Sequence, residues 1–310
     1  MPELQKFAVD ARTRLDQFVL QLWPPLDRRA VRQMIRGGAI TVNGRAALKA
    51  GQYLEPGDQV TVAVSEIAEP EAVPAVFHLP LSVVYEDEVL VAVDKPAAVA
   101  VWSSRKTSQG ALAQQLAEAY PNILHVGGAE RAGIIMRIEP EVSGLILAAK
   151  DESTYRAMQR MVKHRQVETV YSVLVEGRLT GAHRIDEPLG NMQRARERLA
   201  VAREGRPART FCRGQRHYKE GGRDYSLLEV RPETSRLHQI RVHLAWYGFP
   251  IVGDRLYGSR NQPILPDRIF LHLGVLTFLH PVTGEPVRVE SALPPELFSV
   301  LRYLARPKTV

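Results

Sequence analysis

The amino-acid sequence predicts an α+β protein of two domains. A small N-terminal unit combines a helix pair with a sheet, and a larger unit is built on a mixed, mainly antiparallel sheet. Three observations carry this. Residues 12–64 join two short helical patterns to strand patterns around an Asn-Gly turn. Residues 65–79, "SEIAEPEAVPAVFHL", are rich in Pro, Ala and Glu, show neither periodicity, and read as a linker. Residues 80–308 are a string of short β-rich runs with helices between only some of them, too few βαβ units for a parallel sheet.

In the first unit, "RLDQFVLQL" sets Leu15, Phe18, Val19 and Leu22 on one helical face. "PPLD" breaks that helix, and Asp27 is a fitting N-cap for a second one over about 28–36. The second helix carries Arg28, Arg29, Arg32 and Arg36, with Val31 and Ile35 on the opposite side, so its cations share a solvent face. "GG" ends it, "AITVNGR" runs a strand into the turn, and "LEPGDQVTVAV" adds an alternating strand. In the larger unit, strands are read at "LSVVYED", "VLVAVDKP", "GLILAAKD", "TVYSVLVEGRL", "YSLLEVRPE" and "FLHLGVLTFLHP". Helices are read at "QGALAQQLAEAY" and "ESTYRAMQRMVKHR", and no internal repeat is found.

Composition narrows the function. With 310 residues, 45% apolar and 24% charged, the chain can bury two cores. No apolar run is long enough to span a bilayer, and "MPELQKFAVDARTR" lacks the apolar core of a signal peptide. The single cysteine, Cys212, excludes an internal disulfide and a cysteine zinc cage, and reads as a strand residue. A cytoplasmic, monomeric protein is expected. The net charge of +7 is unevenly spread. Residues 194–219 hold nine basic and two acidic side chains, and residues 27–49 hold six and one, local balances of +7 and +5. Such clusters read as footprints for phosphates, so RNA or another polyanion is the expected partner. There is no Walker phosphate loop and no GxGxxG fingerprint. His238 and His243 lie five apart with no third ligand at useful spacing, so no metal is expected.

The chemistry-bearing stretch is "IIMRIEPEVSGLILAAKD", where Arg137, Glu139, Glu141 and a Ser-Gly turn separate two apolar runs. "RLDQFV", "RRAVRQMIRGGAITVNG" and "PGDQVTV" together resemble the small RNA-binding domain named for ribosomal protein S-four, which implies that Arg28, Arg29, Arg32 and Arg36 face RNA. Across nearly its whole length the chain also resembles the RluA-type pseudouridine synthases. The matching segments are "YEDEVLVAVDKPAA", "MRIEPEVSGLILAAK", "TVYSVLVEG", "SRLHQIRVHLAWYGFPIVGDRLYG" and "LHLGVLTFLHP". That family isomerises uridine in ribosomal or transfer RNA without metal or organic cofactor. The resemblance places Glu139 where the family has its catalytic aspartate and Arg137 where an arginine fills the gap left by the flipped base. Tyr171 matches the tyrosine stacked on the uracil, and Arg241 the partner of the carboxylate. Ile240 and Leu271 would wall the pocket. "GRPARTFCRGQ" resembles a strand of the same family, and a β-hairpin bearing Arg194, Arg196 and Arg198 is expected to hold RNA.

Several positions depart from the family pattern of His-Arg-Leu-Asp, two residues, Thr-Ser-Gly. Here Met136 replaces histidine, Glu139 aspartate and Val142 threonine. Ala98 replaces the glycine after Lys95-Pro96-Ala97, Thr169 a basic residue before Tyr171, and Ser235 the glycine before "RLHQIR". A carboxylate displaced by about 1 Å can cost about 10²-fold in rate. Two readings stay open at this point: a synthase rebuilt around a glutamate, or an impaired paralogue acting as an RNA-binding or ribosome-assembly factor.

Overall fold

The computed structural model describes residues 4–23, 31, 34–35, 37–47, 49–63, 81–102, 111–128, 131–192, 195–259, 264–265 and 268–307. The chain divides into two compact units, Met1–Ala75 and Val76–Val310. In the first, strands β1 (Leu4–Ala8), β3 (Ile40–Val42), β4 (Arg45–Ala46) and β6 (Gln59–Ala63) form a sheet in the order β1-β6-β3-β4. Strands β2 (Thr13–Arg14) and β5 (Tyr53–Leu54) pair separately. β1 lies ahead of the 12–64 span and still pairs along β6. Helix α1 (Leu15–Leu22) buries Leu15 and Val19, as its periodicity requires. The Asn-Gly turn joining β3 to β4 has both residues at positive φ, 51° at Asn43 and 74° at Gly44, the twist that a two-residue hairpin needs. Of the second helix, Val31, Met34 and Ile35 are described and buried. Arg28, Arg29, Arg32 and Arg36, and the linker 65–79, lie outside the described residues.

The second unit holds a nine-stranded sheet. Its strands are β7 (Val83–Glu86), β8 (Leu90–Lys95), β9 (Ser143–Ala149), β10 (Glu168–Glu176), β11 (Ala182–Asp186), β14 (Arg209–Glu220), β15 (Arg223–Pro232), β16 (Leu271–Leu279) and β17 (Pro286–Glu290). The order is β11-β14-β15-β10-β16-β9-β8-β7, with β17 on the far half of β16. Every pairing is antiparallel except β9 with β16. β9 is buried at all seven positions, because its "GLILAA" run is covered on both faces. Helix α2 (Leu112–Ala119) buries Leu112 and Leu116 against this core. Helix α3 (Glu152–Lys163) starts where the Asp151 carboxylate accepts the Thr154 N–H at 2.9 Å, and basic residues close its last turn. Helix α4 (Gln239–Trp246) follows β15. Helix α5 (Pro295–Ala305) was not read from the sequence, although Leu297, Val300 and Leu304 recur at helical spacing and are buried.

Strands β12 (Leu189–Met192) and β13 (Ala195–Val201) form a separate hairpin. Its feet rest on a small apolar cluster of Leu189, Ala208 and Val242, with Leu199, Val201 and Tyr257 packed around it. This cluster is distinct from the main core.

The Ser-Gly turn expected after Glu141 is not a turn. Ser143 and Gly144 are the first two residues of β9, and the turn precedes them, with the Val142 N–H donating to the Glu139 carbonyl at 3.1 Å. Gly144 sits at φ 121°, and a Cβ there would lie 2.2 Å from the Leu273 carbonyl oxygen on β16. Only glycine lets the two parallel strands approach. Ala98, in the family's glycine position, has φ 66°, a left-handed conformation that costs an alanine about 1 kcal/mol or more. Gly144→Ala should therefore destabilise the protein by about 3 kcal/mol or more, while Ala98→Gly should stabilise it by about 1 kcal/mol. Urea unfolding of both variants checks the opposite signs.

Candidate active site

The loop 137–142 feeds the buried start of β9 and is clamped from below. Lys95 ends β8, directly across from Gly144. Its ammonium is wholly buried and donates to the carbonyls of Pro96, Val99 and Pro140, at 2.8, 2.8 and 3.1 Å. Pro140 is the neighbour of Glu139, so this lysine ties the loop to the strand beside it. Burial pushes the Lys95 ammonium down to about 7, opposed by the nearby Glu141 charge. The other end of the loop is held at Ser143. Arg268 donates to Ser143 Oγ at 2.5 Å, and Ser143 Oγ lies 2.8 Å from His272 Nδ1. The other ring nitrogen, Nε2, faces the Ser291 carbonyl at 3.3 Å and donates to it, so in the neutral ring Nδ1 accepts from the serine hydroxyl. Burial lowers the His272 pKa, which fits a neutral ring in this chain of donors.

Above the loop stands the first turn of α4. Gln239 and His243, four residues apart, fasten the helix to its support. Gln239 Nε2 donates to the Arg209 carbonyl and Thr210 Oγ1, at 2.8 and 3.0 Å. His243 meets Thr210 Oγ1 at 2.8 Å and the Glu187 carbonyl at 2.9 Å, so it is a structural residue rather than a metal ligand. His238 and Arg241, three apart, are thereby turned toward Glu139.

Arg241 is gripped by Asp254. Its Nε donates to Asp254 Oδ2 at 2.8 Å and its Nη2 to Oδ1 at 2.7 Å, the two-pronged geometry that fits guanidinium to carboxylate. Asp254 also accepts the backbone N–H groups of Leu256 and Tyr257, at 2.9 and 3.0 Å. Its side chain has no exposed surface. Burial raises the Asp254 pKa, but the arginine and backbone donors outweigh it and the net shift is downward. Burial likewise opposes the Arg241 charge, and the Asp254 and Glu139 carboxylates reverse that. A remaining N–H of Arg241, on Nη1, meets Glu139 Oε2 at 2.5 Å. One carboxylate holds the guanidinium, and the guanidinium aims the other carboxylate.

His238 Nε2 lies 3.7 Å from the same Glu139 oxygen, and its Nδ1 is 2.9 Å from the Tyr257 hydroxyl. The Tyr257 ring also lies 5.3 Å from the Arg241 guanidinium. A cleft of about 740 Å³ opens here, lined by Ala97, Ala98, Glu141, His238, Arg241, Asp254 and Arg268 among others. Tyr171 sits in β10 opposite Leu273, just after a bulge, in the row that continues to Gly144. It is partly buried, and burial together with the Glu139 charge raises its hydroxyl pKa. Arg137 is exposed beside the loop, and among the described residues it has no ion-pair partner.

The structure thus brings Glu139 and Arg241 into contact and sets Tyr171 within range of the Glu139 charge. Ile240 and Leu271 are buried in the main core, and like Glu139 and Tyr171 they are not among the residues that line the cleft. Arg198 is exposed on β13, Arg194 lies outside the described residues, and the Arg196 side chain is not described. Cys212 is a buried residue of β14, and burial raises its thiol to about 11. Sequence reasoning missed Asp254, Lys95, His238 and Tyr257 as parts of the site. All four lie inside the quoted motifs, but spacing alone cannot say that they converge.

Comparison with known proteins supplies the context for this geometry. The model for RNA pseudouridylate synthase matches residues 89–246, and the S4 domain model matches residues 13–60. An uncharacterized RNA pseudouridine synthase of Bacillus subtilis is 34% identical over 295 residues, covering 94% of each chain. Another from Chloroflexus aurantiacus is 38% identical, covering 94% of this chain and 90% of its own. Ribosomal large subunit pseudouridine synthase D of Vibrio parahaemolyticus is 30% identical, covering 94% of this chain and 91% of its own. Among solved structures, human RNA pseudouridylate synthase domain containing 1 shares the fold, with a TM-score of 0.58 at 24% identity. That match covers 74% of this chain and 97% of the human one.

The Lys95 clamp makes stability depend on pH with a defined sign. An unfolded lysine titrates near 10.5 and the folded one near 7. Between those values the unfolded state binds more protons. Stability from this residue is complete above 10.5 and is lost as the pH falls toward 7, with a slope of up to about 1.4 kcal/mol per pH unit. Urea midpoints of the wild type and Lys95→Met across this range should converge as the pH falls.

Proposed function

Because the chain belongs to the RNA pseudouridylate synthase family, we propose that it isomerises uridine to pseudouridine in RNA, with Glu139 as the carboxylate that meets the nucleotide. The observation that carries the assignment of Glu139 is its 2.5 Å contact with an Arg241 whose own position is set by the buried Asp254. The longer side chain still reaches the cation. An ionised, aimed carboxylate is what this reaction needs, whether it acts as nucleophile or as base.

The remaining roles follow from position. The target base leaves the stack at a cost of a few kcal/mol. Arg137, exposed and unpaired among the described residues, is free to fill the space it leaves. Tyr171 lies against the flipped uracil, and its raised pKa keeps it protonated at neutral pH. The glycosidic bond to N1 breaks, the ring turns, and a bond from C1′ to C5 forms. The C5 proton leaves and N1 gains one, so no oxidant, metal or organic cofactor is consumed. The first unit and the basic hairpin supply the grip on phosphates. Ribosomal or transfer RNA is the substrate class, and large-subunit ribosomal RNA is the first candidate because several relatives carry that name. The reading includes a monomer in the cytoplasm. Among the described residues, no helix is long and apolar enough to cross a membrane.

A protein that grips RNA without turning it over is the competing reading. It is favoured by the apolar Met136 and the buried Val142, which leave the loop with no side chain of its own hydrogen-bonded to Glu139 among the described residues. Large-subunit RNA transcribed with 5-tritiated uridine separates the two. The wild type should release tritium and Glu139→Gln should lose at least about 10³-fold of the rate. Glu139→Asp should lose about 10²-fold, since its oxygens no longer reach Arg241. No release by the wild type, with tight RNA binding retained, would establish the competing reading instead.

A further inference from the structure

We infer that Tyr257 is a positioning residue that links the basic β12–β13 hairpin to the Glu139–Arg241 pair through His238. The inference rests on the isomerase reading and adds to it a route by which RNA held on the hairpin is felt at the carboxylate.

The contacts form one directed chain. The Leu199 N–H of β13 donates to the Tyr257 hydroxyl oxygen at 3.0 Å. That hydroxyl lies 2.9 Å from His238 Nδ1, and the opposite ring nitrogen lies 3.7 Å from Glu139 Oε2. Burial favours the neutral His238 ring, against the pull of the Glu139 charge. A carboxylate facing Nε2 draws the ring's one proton to Nε2. Nδ1 is then the acceptor and the Tyr257 hydroxyl its donor. Every donor thus points the same way, from hairpin backbone to catalytic oxygen. The 3.7 Å gap is too long for a hydrogen bond, so its closing is the step left for substrate to complete.

Two further observations make the hairpin the end on which RNA would act. The hairpin is seated on its own apolar cluster, apart from the main core, and Tyr257 is packed at its edge. It also presents Arg198 to solvent, a cation placed to meet a phosphate. At the other end the Tyr257 ring lies against Arg241, so a shift of this side chain disturbs both groups that face Glu139. His238 itself is held at φ 53°, a strained left-handed backbone conformation at the start of α4.

Tyr257→Phe keeps the ring over Arg241 and within its cluster and deletes only the hydroxyl. In single-turnover reactions of the full chain with tritiated large-subunit RNA transcript, the rate constant should fall about tenfold or more, with the RNA Kd within about twofold of wild type. His238→Ala should lose a similar factor, and the double variant should lose no more than the larger single loss. Nitrogen-15 NMR of the histidine side chains supplies a readout independent of turnover. A uridine-free RNA stem-loop should shift the His238 Nδ1 signal in the wild type and in Arg137→Ala, but not in Tyr257→Phe or Arg198→Glu. An unchanged rate in Tyr257→Phe, losses that multiply in the double variant, or the same Nδ1 shift with and without the hydroxyl would each overturn the relay. If the wild type releases no tritium, the isomerase reading falls, and the NMR comparison still decides whether hairpin and carboxylate are linked.

Discussion

The site depends on a buried ion pair. Asp254 has lost all contact with water, and Arg241 nearly all of it. Removing such a pair from water costs several kcal/mol per ion, and their attraction offsets this only with good geometry and full hydrogen bonding. Both conditions hold here. Two parallel N–H bonds join guanidinium to carboxylate, and two backbone N–H groups use the remaining capacity of Asp254. The consequence is directional. An arginine fixed at two of its nitrogens points the third along one line, and Glu139 sits at the end of that line.

The carboxylate is also held from behind. Its loop hangs between two strands of the central sheet, with the Lys95 ammonium on the Pro140 carbonyl at one end and Arg268 on the Ser143 hydroxyl at the other. The network draws on β8, β9 and β16, so the loop is fastened to the most buried strands of the sheet. Gly144 permits the arrangement by allowing β9 and β16 to touch where a side chain would collide. This explains how apolar residues at 136 and 142 are compatible with an ordered carboxylate. Orientation that polar neighbours in the loop would give is supplied by Arg241 and by backbone clamps on either side.

The small apolar cluster under β12–β13 has a different character. It joins the hairpin to α4 through Leu189, Ala208 and Val242 and leaves the main core untouched. A segment seated on a few side chains opens more easily than one woven into the sheet.

Much of this architecture is legible in one dimension. The α1 face, the Asn-Gly hairpin, the helix over Glu152–Lys163 and the continuous apolar run of β9 follow from local spacing, because 3.6-residue and two-residue periods are properties of the chain itself. Arg137, Glu139, Tyr171 and Arg241 could be named only because their motifs resemble those of a known family. Convergence could not. Glu139 and Arg241 stand 102 positions apart, and Ser143 and His272 stand 129 apart, so their contacts exist only once the sheet has brought β9 beside β16 and α4 above both. Asp254, Lys95, His238 and Tyr257 lie inside the quoted motifs with no sign there of what they touch, and the Ser-Gly pair read as a turn because only the approach of Leu273 reveals why a glycine begins a strand. Residue types and periods settled which elements form. Which side chains meet at the site was decided by packing, since hydrogen bonds and ion pairs act over a few ångströms and carry no trace in the spacing of the sequence.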